Sequence, residues 1–400
     1  MSDWEIVPIG DVADFVQGLA INAQTKHLIV YTGGMPLLRI KDLIESNQEI
    51  FIDSDNAPKG CIANEEDLIM TRTGQVGFVF MGKKGVLHNN SFKIVPKSPK
   101  VYLPFIYWFF NRASSREYLT SIAAGSVQPD LTHKIFKEVE IPLPPLQEQR
   151  AIAEVLNSIA EKIQLLKSNN KTLEEMSETL YKKWFMDIET DSDTRILNID
   201  DVAIVQNGYS FKSTEFVGPI LNAIEVLKMG HISAEGGLRS SPKKDFVVRS
   251  DKYDKWVLNK RDIILAMTDM KDNVVILGVP ALIDIDNKYV LNQRVGRIYL
   301  KENSPLINIL ILFMQMKDKL FIGELQAKAN SGVQVNLGTD TIRESQIVVP
   351  SISVQQNILP HLIGIQDKLD LNREEIHKLE QLKDTLLPKL MSGQVIVKPN

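Results

Sequence analysis

The chain has 400 residues, of which 44% are hydrophobic, enough for two or three domains with cores of their own. Its formal net charge is −4, which excludes an overall basic nucleic-acid binder, so any contact with phosphates must come from local arrangement or from a basic partner. A single cysteine excludes an internal disulfide, and the lack of a signal peptide or a bilayer-spanning apolar run predicts a cytoplasmic protein without a membrane partner.

Residues 1–146 are predicted to form a first globular domain of mixed α and β structure. Short apolar runs bounded by turn residues indicate strands at 36–39, 67–72, 76–80, 91–95 and 139–143. Residues 102–112 are dense in aromatic side chains and predict a buried helix.

Residues 147–188 predict one long helix. Prolines at 142, 144 and 145 precede it, and the chain then runs to Asp187 without Gly or Pro. Some 40 helical residues extend about 60 Å. Two tracks with seven-residue spacing follow one face, through Ile152, Ile159, Leu166, Leu173 and Leu180, and through Leu156, Ile163, Asn170, Ser177 and Trp184. A mostly apolar seam of this kind requires a partner helix.

Residues 189–350 repeat the plan of the first domain. The tripeptide at 11–13 returns at 201–203, and the segment at 67–70 has a counterpart at 262–265. The predicted strands lie at 220–224, 262–267, 274–278, 295–300 and 346–350, with a helix over 306–317. The two copies share this order of elements but not their surface residues.

Residues 351–400 predict the second long helix and a C-terminal tail. Gln355 aligns with Gln149, 206 positions earlier, and the same offset reproduces both tracks. They run through Ile358, Ile365, Asn372, Leu379 and Leu386, and through Leu362, Leu369, Ile376, Lys383 and Leu390. Asn170 and Asn372 lie near the middle of their helices, so in an antiparallel pair they could meet and fix the register; alternatively, each faces solvent at the edge of the seam. Pro360 should start this helix late or kink it.

The sequence therefore predicts an α+β fold. Two tandem globular α+β domains are separated by two long helices that form an antiparallel coiled coil, with a pseudo-two-fold internal repeat.

No constellation of catalytic residues is evident. The six histidines have no metal-ligand spacing with one another or with Cys61, and there is no Gly-x-Gly-x-x-Gly motif. The segment from Gly77 to Lys83 is a near miss for a phosphate-binding loop, since Lys84 stands where Ser or Thr belongs. A β-hairpin with a basic tip is the better interpretation.

Polar residues suited to base edges and phosphates cluster instead in predicted loops. Arg reads guanine, Asn and Gln read adenine, and Lys holds phosphates. These candidates are Arg72, Lys83, Lys84, Asn89, Asn90, Ser126 and Gln128 in the first domain, and Lys243, Lys244, Asn292, Gln293, Arg294, Gln334 and Asn336 in the second. Each amide residue could equally serve its own turn, and Arg72 could instead cap a helix or form an ion pair.

Three motifs resemble the specificity subunit of type I restriction-modification systems. They are Ile-Pro-Leu-Pro-Pro-Leu-Gln-Glu-Gln-Arg-Ala-Ile at 141–152, Trp-Phe-Met-Asp at 184–187, and Leu-Leu-Pro-Lys-Leu-Met-Ser-Gly-Gln-Val at 386–395. With the duplicated layout, the resemblance covers essentially the whole chain. The second copy departs from the first motif, with Ser-Val-Gln-Gln at 353–356 in place of Leu-Gln-Glu-Gln.

The resemblance implies a non-catalytic subunit that reads double-stranded DNA. Two target recognition domains would each read one half of a split sequence, and the paired helices would space them. Two adenine methyltransferase subunits would dock on the chain, and restriction-translocase subunits could join. S-adenosylmethionine, ATP and Mg²⁺ would then belong to those partners, with no cofactor in this chain. One rival hypothesis is an assembly scaffold that binds no DNA, and another is an enzyme whose active-site residues are dispersed along the chain.

Overall fold

The computed structural model describes residues 4–45, 48–125, 128–187, 193–239, 241–270, 274–331 and 334–397, with no side-chain description at 185–187, 270, 330, 331 and 334. The chain divides into two compact units. Unit 1 comprises Met1–Leu165 with Lys378–Asn400, and unit 2 comprises Leu166–His377. Each unit therefore contains one globular region and parts of both long helices.

Unit 1 contains the predicted elements in the predicted order, together with additional short helices and strands. In chain order these are β1 (Glu5–Pro8), α1 (Ile9–Val12), β2 (Ala13–Gln17), β3 (Ile29–Val30), β4 (Met35–Leu38), α2 (Ile40–Glu45), β5 (Phe51–Ile52), β6 (Ile62–Ala63), β7 (Leu68–Thr71), β8 (Val79–Phe80), β9 (Gly85–Leu87), β10 (Ser91–Pro96), α3 (Leu103–Phe110), α4 (Ala113–Ile122), α5 (His133–Lys137), β11 (Glu140–Leu143) and the start of α6 (Leu146–Asp187).

In the described part of unit 1, the strands form three sheets. An antiparallel sheet has the order β2-β10-β7-β8, a second sheet has the order β3-β5-β4-β9-β6 with β4 and β9 parallel, and β1 pairs with β11. The core lies between the first sheet and the helices, where Phe92, Phe105, Phe110 and Phe136 are buried. The aromatic run in α3 contributes five buried residues to this core, so the helix is buried as predicted.

Unit 2 repeats this plan. After the end of α6 come β12 (Arg195–Asn198), α7 (Ile199–Val202), β13 (Ala203–Asn207), β14 (Phe216–Val217), β15 (Ala223–Leu227), β16 (Phe246–Val248), β17 (Ile263–Ala266), β18 (Thr268–Met270), β19 (Pro280–Leu282), β20 (Tyr289–Leu291), β21 (Val295–Leu300), α8 (Ile309–Met316), α9 (Lys319–Ala327), β22 (Asn330–Ser331), β23 (Gln334–Asn336), α10 (Thr339–Arg343), β24 (Gln346–Val349) and α11 (Ile352–Met391).

The sheets of unit 2 match those of unit 1 strand for strand in two cases. The order β13-β21-β17-β19 reproduces β2-β10-β7-β8, and the pair β12-β24 reproduces β1-β11. The remaining sheets are β14-β16-β15-β20, in which β15 and β20 are parallel, and β18-β23-β22. The internal repeat read from the sequence is therefore a repeat of topology.

Two glycines mark the same close backbone approach in both units. A Cβ added at Gly18 would lie 2.3 Å from the carbonyl oxygen of His88, and one added at Gly208 would lie 2.2 Å from that of Asn292. Any side chain at either position would clash with a backbone that cannot move away, so only glycine fits there.

The long helices run antiparallel within each unit. In unit 1, the side chains of Ile152 and Leu156 near the start of α6 share a core with Leu387 and Leu390 near the end of α11. In unit 2, Trp184 near the end of α6 stacks against His361 near the start of α11, with ring centroids 5.7 Å apart. The predicted antiparallel coiled coil is confirmed.

Burial follows the predicted tracks. The buried members are Ile152, Leu156, Ile163, Leu166, Ser177, Ile358, Leu362, Leu369, Asn372, Ile376 and Leu390. The half-buried members are Ile159, Asn170, Leu173, Leu180, Trp184, Ile365, Leu379, Lys383 and Leu386. Asn372 donates its side-chain N–H to Asn170 Oδ1 at 2.8 Å. The two asparagines therefore pair, and the alternative of two solvent-facing amides is wrong.

A buried glutamine joins each long helix to its globular region. Gln149 accepts a hydrogen bond from the Tyr102 N–H at 2.9 Å and donates to the carbonyls of Lys100 and Pro144, both at 2.8 Å. Gln355 makes the same three bonds in unit 2, to Ile307, Pro305 and Pro350, each at 2.9 Å. Both side chains are completely buried, so they satisfy backbone groups that water cannot reach.

Two local predictions are wrong. The segment before Lys83 and the segment after Lys84 do not form a hairpin, because β8 pairs with β7 whereas β9 pairs with β4 and β6 in another sheet. Residues 274–278 are not a strand. The N–H groups of residues 275–277 donate instead to the buried carboxylate of Asp269 at 2.7–3.2 Å, and the strand that pairs with β17 is β19.

The second long helix begins earlier than Pro360 predicts. It starts at Ile352, eight residues before that proline. The hydrogen bonds of Gln355 lie in this first turn and tie it to the globular region, so the helix is already anchored before it reaches Pro360. The late start is therefore wrong.

Candidate nucleic-acid interface

A polar cleft of about 600 Å³ opens in unit 1 where several loops meet. The loops follow the ends of β2 and β7, connect β9 to β10, and precede α5. The residues that line this polar cleft are Gln17, Gly18, Ala20, Arg72, Thr73, Asn89, Asn90, Gln128 and Asp130. Four of them, Arg72, Asn89, Asn90 and Gln128, are predicted DNA contacts, and they come from three separate stretches of sequence.

Backbone hydrogen bonds hold these loops together. The N–H of Arg72 donates to the carbonyl of Asn90 at 2.7 Å, and the carbonyl of Arg72 accepts from the N–H of Leu131 at 3.0 Å. The N–H of Asn89 donates to the carbonyl of Leu19 at 3.0 Å. Residue 72 therefore lies between two loops, each of which is fixed to it through the main chain.

The side chain of Arg72 forms an ion pair. Its Nε and Nη2 donate to the two carboxylate oxygens of Asp130 at 2.7 and 2.8 Å, and its Nη1 donates to Gln17 Oε1 at 3.0 Å. The Gln17 amide in turn donates to the carbonyl of Asn89. Of the roles open to Arg72 from the sequence, the structure contains the ion pair. The guanidinium of Arg72 thus joins side chains from different loops of the cleft. A contact with guanine through the same edge of this guanidinium would require breaking its ion pair with Asp130.

The ion pair shifts the pKa of both partners. The hydrogen bond from Arg72 is the largest cause that lowers the pKa of Asp130, and the same bond raises the pKa of Arg72. Burial, followed by the charge of Arg72, lowers the pKa of the neighbouring His133. At neutral pH the cleft therefore contains a compensated charge pair beside an uncharged imidazole.

We expect this pair to be measurable by a double-mutant cycle with Arg72→Leu and Asp130→Leu. Both side chains are 27–30% exposed, so solvent screening limits the coupling energy to about 1 kcal/mol. Because the folded pKa of Asp130 is lowered, the coupling should be complete above the unfolded pKa of about 3.9. It should disappear as the pH falls through the lower folded value. Denaturant unfolding of the four proteins at several pH values measures it, and a coupling that is constant down to pH 2 would contradict the assignment.

The amides in the cleft are differently placed. The side chains of Asn89 and Asn90 are half-buried and that of Gln128 is exposed. Within the described part of the chain, none of the three amides has a side-chain hydrogen bond to another residue. Primary amides with free donors and acceptors are the groups that pair with adenine in the major groove.

The remaining candidates of the first domain lie elsewhere. Lys83 is half-buried and Lys84 is exposed, both in the connection between β8 and β9, and neither lines the polar cleft. Ser126 lies outside the described residues. The contacts of these three residues with DNA stay predictions.

The corresponding loops of unit 2 carry different residues. The N–H of Met267 donates to the carbonyl of Arg294 at 3.0 Å, as Arg72 does to Asn90, and Asn336 lies opposite Thr268 as Asp130 lies opposite Thr73. Met267 and Asn336 thus replace the ion pair of unit 1. Asn292 is half-buried, and Gln293 and Arg294 are exposed in the turn between β20 and β21.

Lysines flank this turn at the same end of a sheet. Lys243 and Lys244 are exposed and precede β16, which starts beside the end of β15. The end of β15 in turn lies beside the end of β20. Neighbouring strands are about 4.8 Å apart, so the lysines are about two strand spacings from the turn. Gln334 and Asn336 both belong to β23, where Asn336 is exposed.

Sequence reasoning missed Gln17, Thr73 and Asp130. Gln17 and its counterpart Asn207 both end a strand that follows the repeated tripeptide, at the same offset of 190 residues. Their equivalent position at a strand end was the feature of the sequence that could have identified Gln17 as a candidate. No feature of the sequence identified Asp130, because its partner Arg72 is 58 residues away along the chain.

Among the residues that the structure describes, no group of three or more His, Cys, Asp or Glu side chains could hold a metal ion. Within the same residues, no helix is both long enough and apolar enough to cross a lipid bilayer.

Comparison with known proteins identifies the family. The family model described as type I restriction modification DNA specificity domain matches residues 1–175 and 192–381. The chain belongs to the family of type I restriction-modification specificity subunits. These subunits are non-catalytic, and the catalytic activities of the restriction enzyme reside in other subunits. Membership in this family is consistent with a role in DNA sequence recognition and complex assembly.

Individual relatives cover the full chain. The chain is 27% identical to the type I restriction enzyme MjaVIII specificity subunit of Methanocaldococcus jannaschii and 25% identical to the MjaIX specificity subunit of the same organism. Each alignment spans 99% of this chain and 94% of the relative. The crystal structure of the type I restriction-modification S subunit from M. genitalium superposes with a TM-score of 0.63 at 17% identity, over 97% of this chain and 96% of the other. This last likeness concerns the fold of the specificity subunit.

Proposed function

We propose that this specificity subunit reads a bipartite, asymmetric DNA target, with one half-site read by each unit. One observation carries the proposal: two units of the same topology carry different residues at equivalent loop positions. Arg72, Asp130 and Asn90 in unit 1 correspond to Met267, Asn336 and Arg294 in unit 2. A shared scaffold with unlike reading loops suits two unlike half-sites.

The same repeat supports two docking positions for partner subunits. Each unit contains its own segment of the antiparallel helix pair, fixed to the globular region by Gln149 or Gln355. Two copies of an adenine methyltransferase subunit would therefore bind to similar surfaces, one on each unit of the chain. Restriction-translocase subunits would join this complex, with S-adenosylmethionine, ATP and Mg²⁺ bound by the partners. A protein in this role acts on DNA inside the cell, so the cytoplasm remains its expected location.

A domain exchange tests the bipartite reading. Replacing residues 1–140 with the corresponding region of another family member should change one half of the methylated sequence and leave the other half and the spacer unchanged. The exchange keeps both long helices and all of unit 2, so partner docking is preserved. The measurement is the set of methylated adenines in DNA from cells that express the hybrid with its methyltransferase. A change in both halves would contradict the proposal.

Salt dependence separates this proposal from a scaffold that binds no DNA. Binding through phosphates weakens steeply as ionic strength rises, because counterions are released. Association through apolar helix surfaces lacks this dependence. We expect the affinity of the assembled complex for its target to fall by at least about 100-fold between 50 and 200 mM salt, while the subunits remain associated.

A further inference from the structure

We propose that the two units use different base-reading chemistry: unit 1 reads an A·T pair through side-chain amides, and unit 2 reads a guanine through Arg294. This inference deepens the proposed function and rests on it. It assigns a base class to each half-site from the partners that the loop residues already have within the chain.

In unit 1, the arginine is engaged and the amides are free. Three of the nitrogens of Arg72 donate to Asp130 and Gln17, and the pair with Asp130 is bidentate. A guanine offers the same kind of two-acceptor edge as a carboxylate, so Asp130 already occupies the edge of Arg72 that a guanine would need. The cleft keeps little net positive charge.

The amides that remain suit adenine. Asn89 and Asn90 line the polar cleft from one turn, and Gln128 lines it from another loop. An amide presents one donor and one acceptor side by side, which matches N7 and N6 of adenine and does not match the two acceptors of guanine. Gln17 cannot join them, because its oxygen accepts from Arg72 and its nitrogen donates to the carbonyl of Asn89.

In unit 2, the arginine occupies the turn itself. Arg294 holds the backbone position of Asn90, since its carbonyl accepts from the N–H of Met267 as that of Asn90 accepts from Arg72. Its side chain is exposed and has no hydrogen bond or ion pair within the described residues. Its backbone N–H bonds to Asn292 Oδ1 at 3.3 Å, which fixes the turn rather than the guanidinium.

The residues around that position also differ in charge. Asn336 stands where unit 1 has Asp130, and Met267 stands where it has Arg72. The carboxylate that compensates the arginine of unit 1 therefore has no counterpart at this position. A solvent-exposed guanidinium on a fixed turn can present its two-donor edge to guanine O6 and N7.

The test compares the methylated sequence of complexes that carry Arg294→Gln, Arg294→Lys or the control Arg249→Gln. Arg249 is an exposed arginine of the same unit, so the control removes the same charge and leaves the turn intact. We expect Arg294→Gln to reduce discrimination for guanine at one position of the second half-site by about 10- to 100-fold. Arg294→Lys should retain the preference in weaker form, and Arg249→Gln should leave the sequence unchanged.

A second set of variants addresses unit 1. Asn89→Ala combined with Asn90→Ala should relax the first half-site at an A·T pair other than the methylated adenine. The control is Asn64→Ala, an exposed amide before the start of β7, at the opposite end of that strand from Arg72. All these side chains are exposed or half-buried, so thermal unfolding should match that of the parent and exclude misfolding as a cause.

The outcomes distinguish the base assignment from the proposed function beneath it. If the parent complex methylates a bipartite site but Arg294→Gln leaves the second half-site unchanged, the assignment of bases is wrong and the proposed function stands. The assignment is equally wrong if the second half-site contains no guanine. If the parent complex methylates no bipartite site, the proposed function itself is wrong.

Discussion

Leu166→Asp is expected to separate the paired helices and to abolish assembly with the methyltransferase. Leu166 is 4% exposed and lies on the apolar seam of α6. Aspartate there loses the buried leucine side chain and places a carboxylate where it has no partner, which costs about 4 kcal/mol or more. For a unit of this size we expect the thermal midpoint to fall by roughly 10 °C, and co-purification with the methyltransferase should be lost.

The adjacent leucine provides the control. Leu165 is 55% exposed, so Leu165→Asp introduces the same charge one residue away without burying it. We expect its thermal midpoint to stay within about 2 °C of the parent, since surface substitutions change stability by about 0.5 kcal/mol or less. Equal midpoints for the two variants would mean that the seam does not run through Leu166.

Gln149→Leu is expected to have a comparable effect through hydrogen bonds rather than packing. Leucine matches glutamine in size but leaves the Tyr102 N–H and the carbonyls of Lys100 and Pro144 without their partner. Each buried group left unpaired costs about 1–3 kcal/mol. Because the surrounding backbone can relax in part, we expect the three unpaired groups together to lower the free energy of unfolding by about 3–5 kcal/mol. Because these groups join α6 to the loop before α3, unit 1 should lose the anchor of its long helix.

Gln147→Leu is the matched control, since Gln147 is exposed in the same turn of α6. Gln355→Leu and its exposed neighbour Gln356→Leu repeat the comparison in unit 2. Denaturant unfolding of the four variants measures the differences. If Gln149→Leu and Gln147→Leu lower the free energy of unfolding equally, the three hydrogen bonds make no net contribution to stability. If Gln149→Leu lowers it and Gln355→Leu does not, the two glutamines are not equivalent anchors.

The elements that repeat in the sequence were predictable from it. Both long helices and their antiparallel pairing follow from a seven-residue spacing that is local and regular. The spacing left the Asn170–Asn372 contact as one of two alternatives, and the structure contains it. The β21 strand at Val295–Leu300 was also predicted with its bounds. In each case local periodicity and tertiary packing favour the same structure.

The wrong predictions about strands share a physical origin: they depend on contacts between residues that are far apart in sequence, or on a side chain that bonds to the backbone. Lys83 and Lys84 read as a hairpin tip, yet the strands on either side pair with partners in two different sheets. Residues 274–278 read as a strand, yet the carboxylate of Asp269 accepts their N–H groups. A side chain that competes for backbone donors leaves no periodic signal.

The candidate site was predictable in part for the same reason. Turn composition identified Asn89, Asn90 and Gln128, which the fold brings together in one cleft. It could not assign Arg72 between its alternatives, because Asp130 and Gln17 come close only in the folded chain. The sequence thus locates polar loops, and the hydrogen-bond partners then distinguish residues that hold the cleft from residues free to bind.

The most direct test of split-site recognition is the methylation pattern of the unmodified protein. The chain, expressed with its methyltransferase subunit in cells that lack other adenine methylation, should direct modification to one sequence, detected by single-molecule sequencing of the genomic DNA. We predict two unlike specific segments separated by a spacer of fixed length and unspecified bases. Methylation of a single contiguous site, or of adenines without a shared sequence, would contradict this prediction.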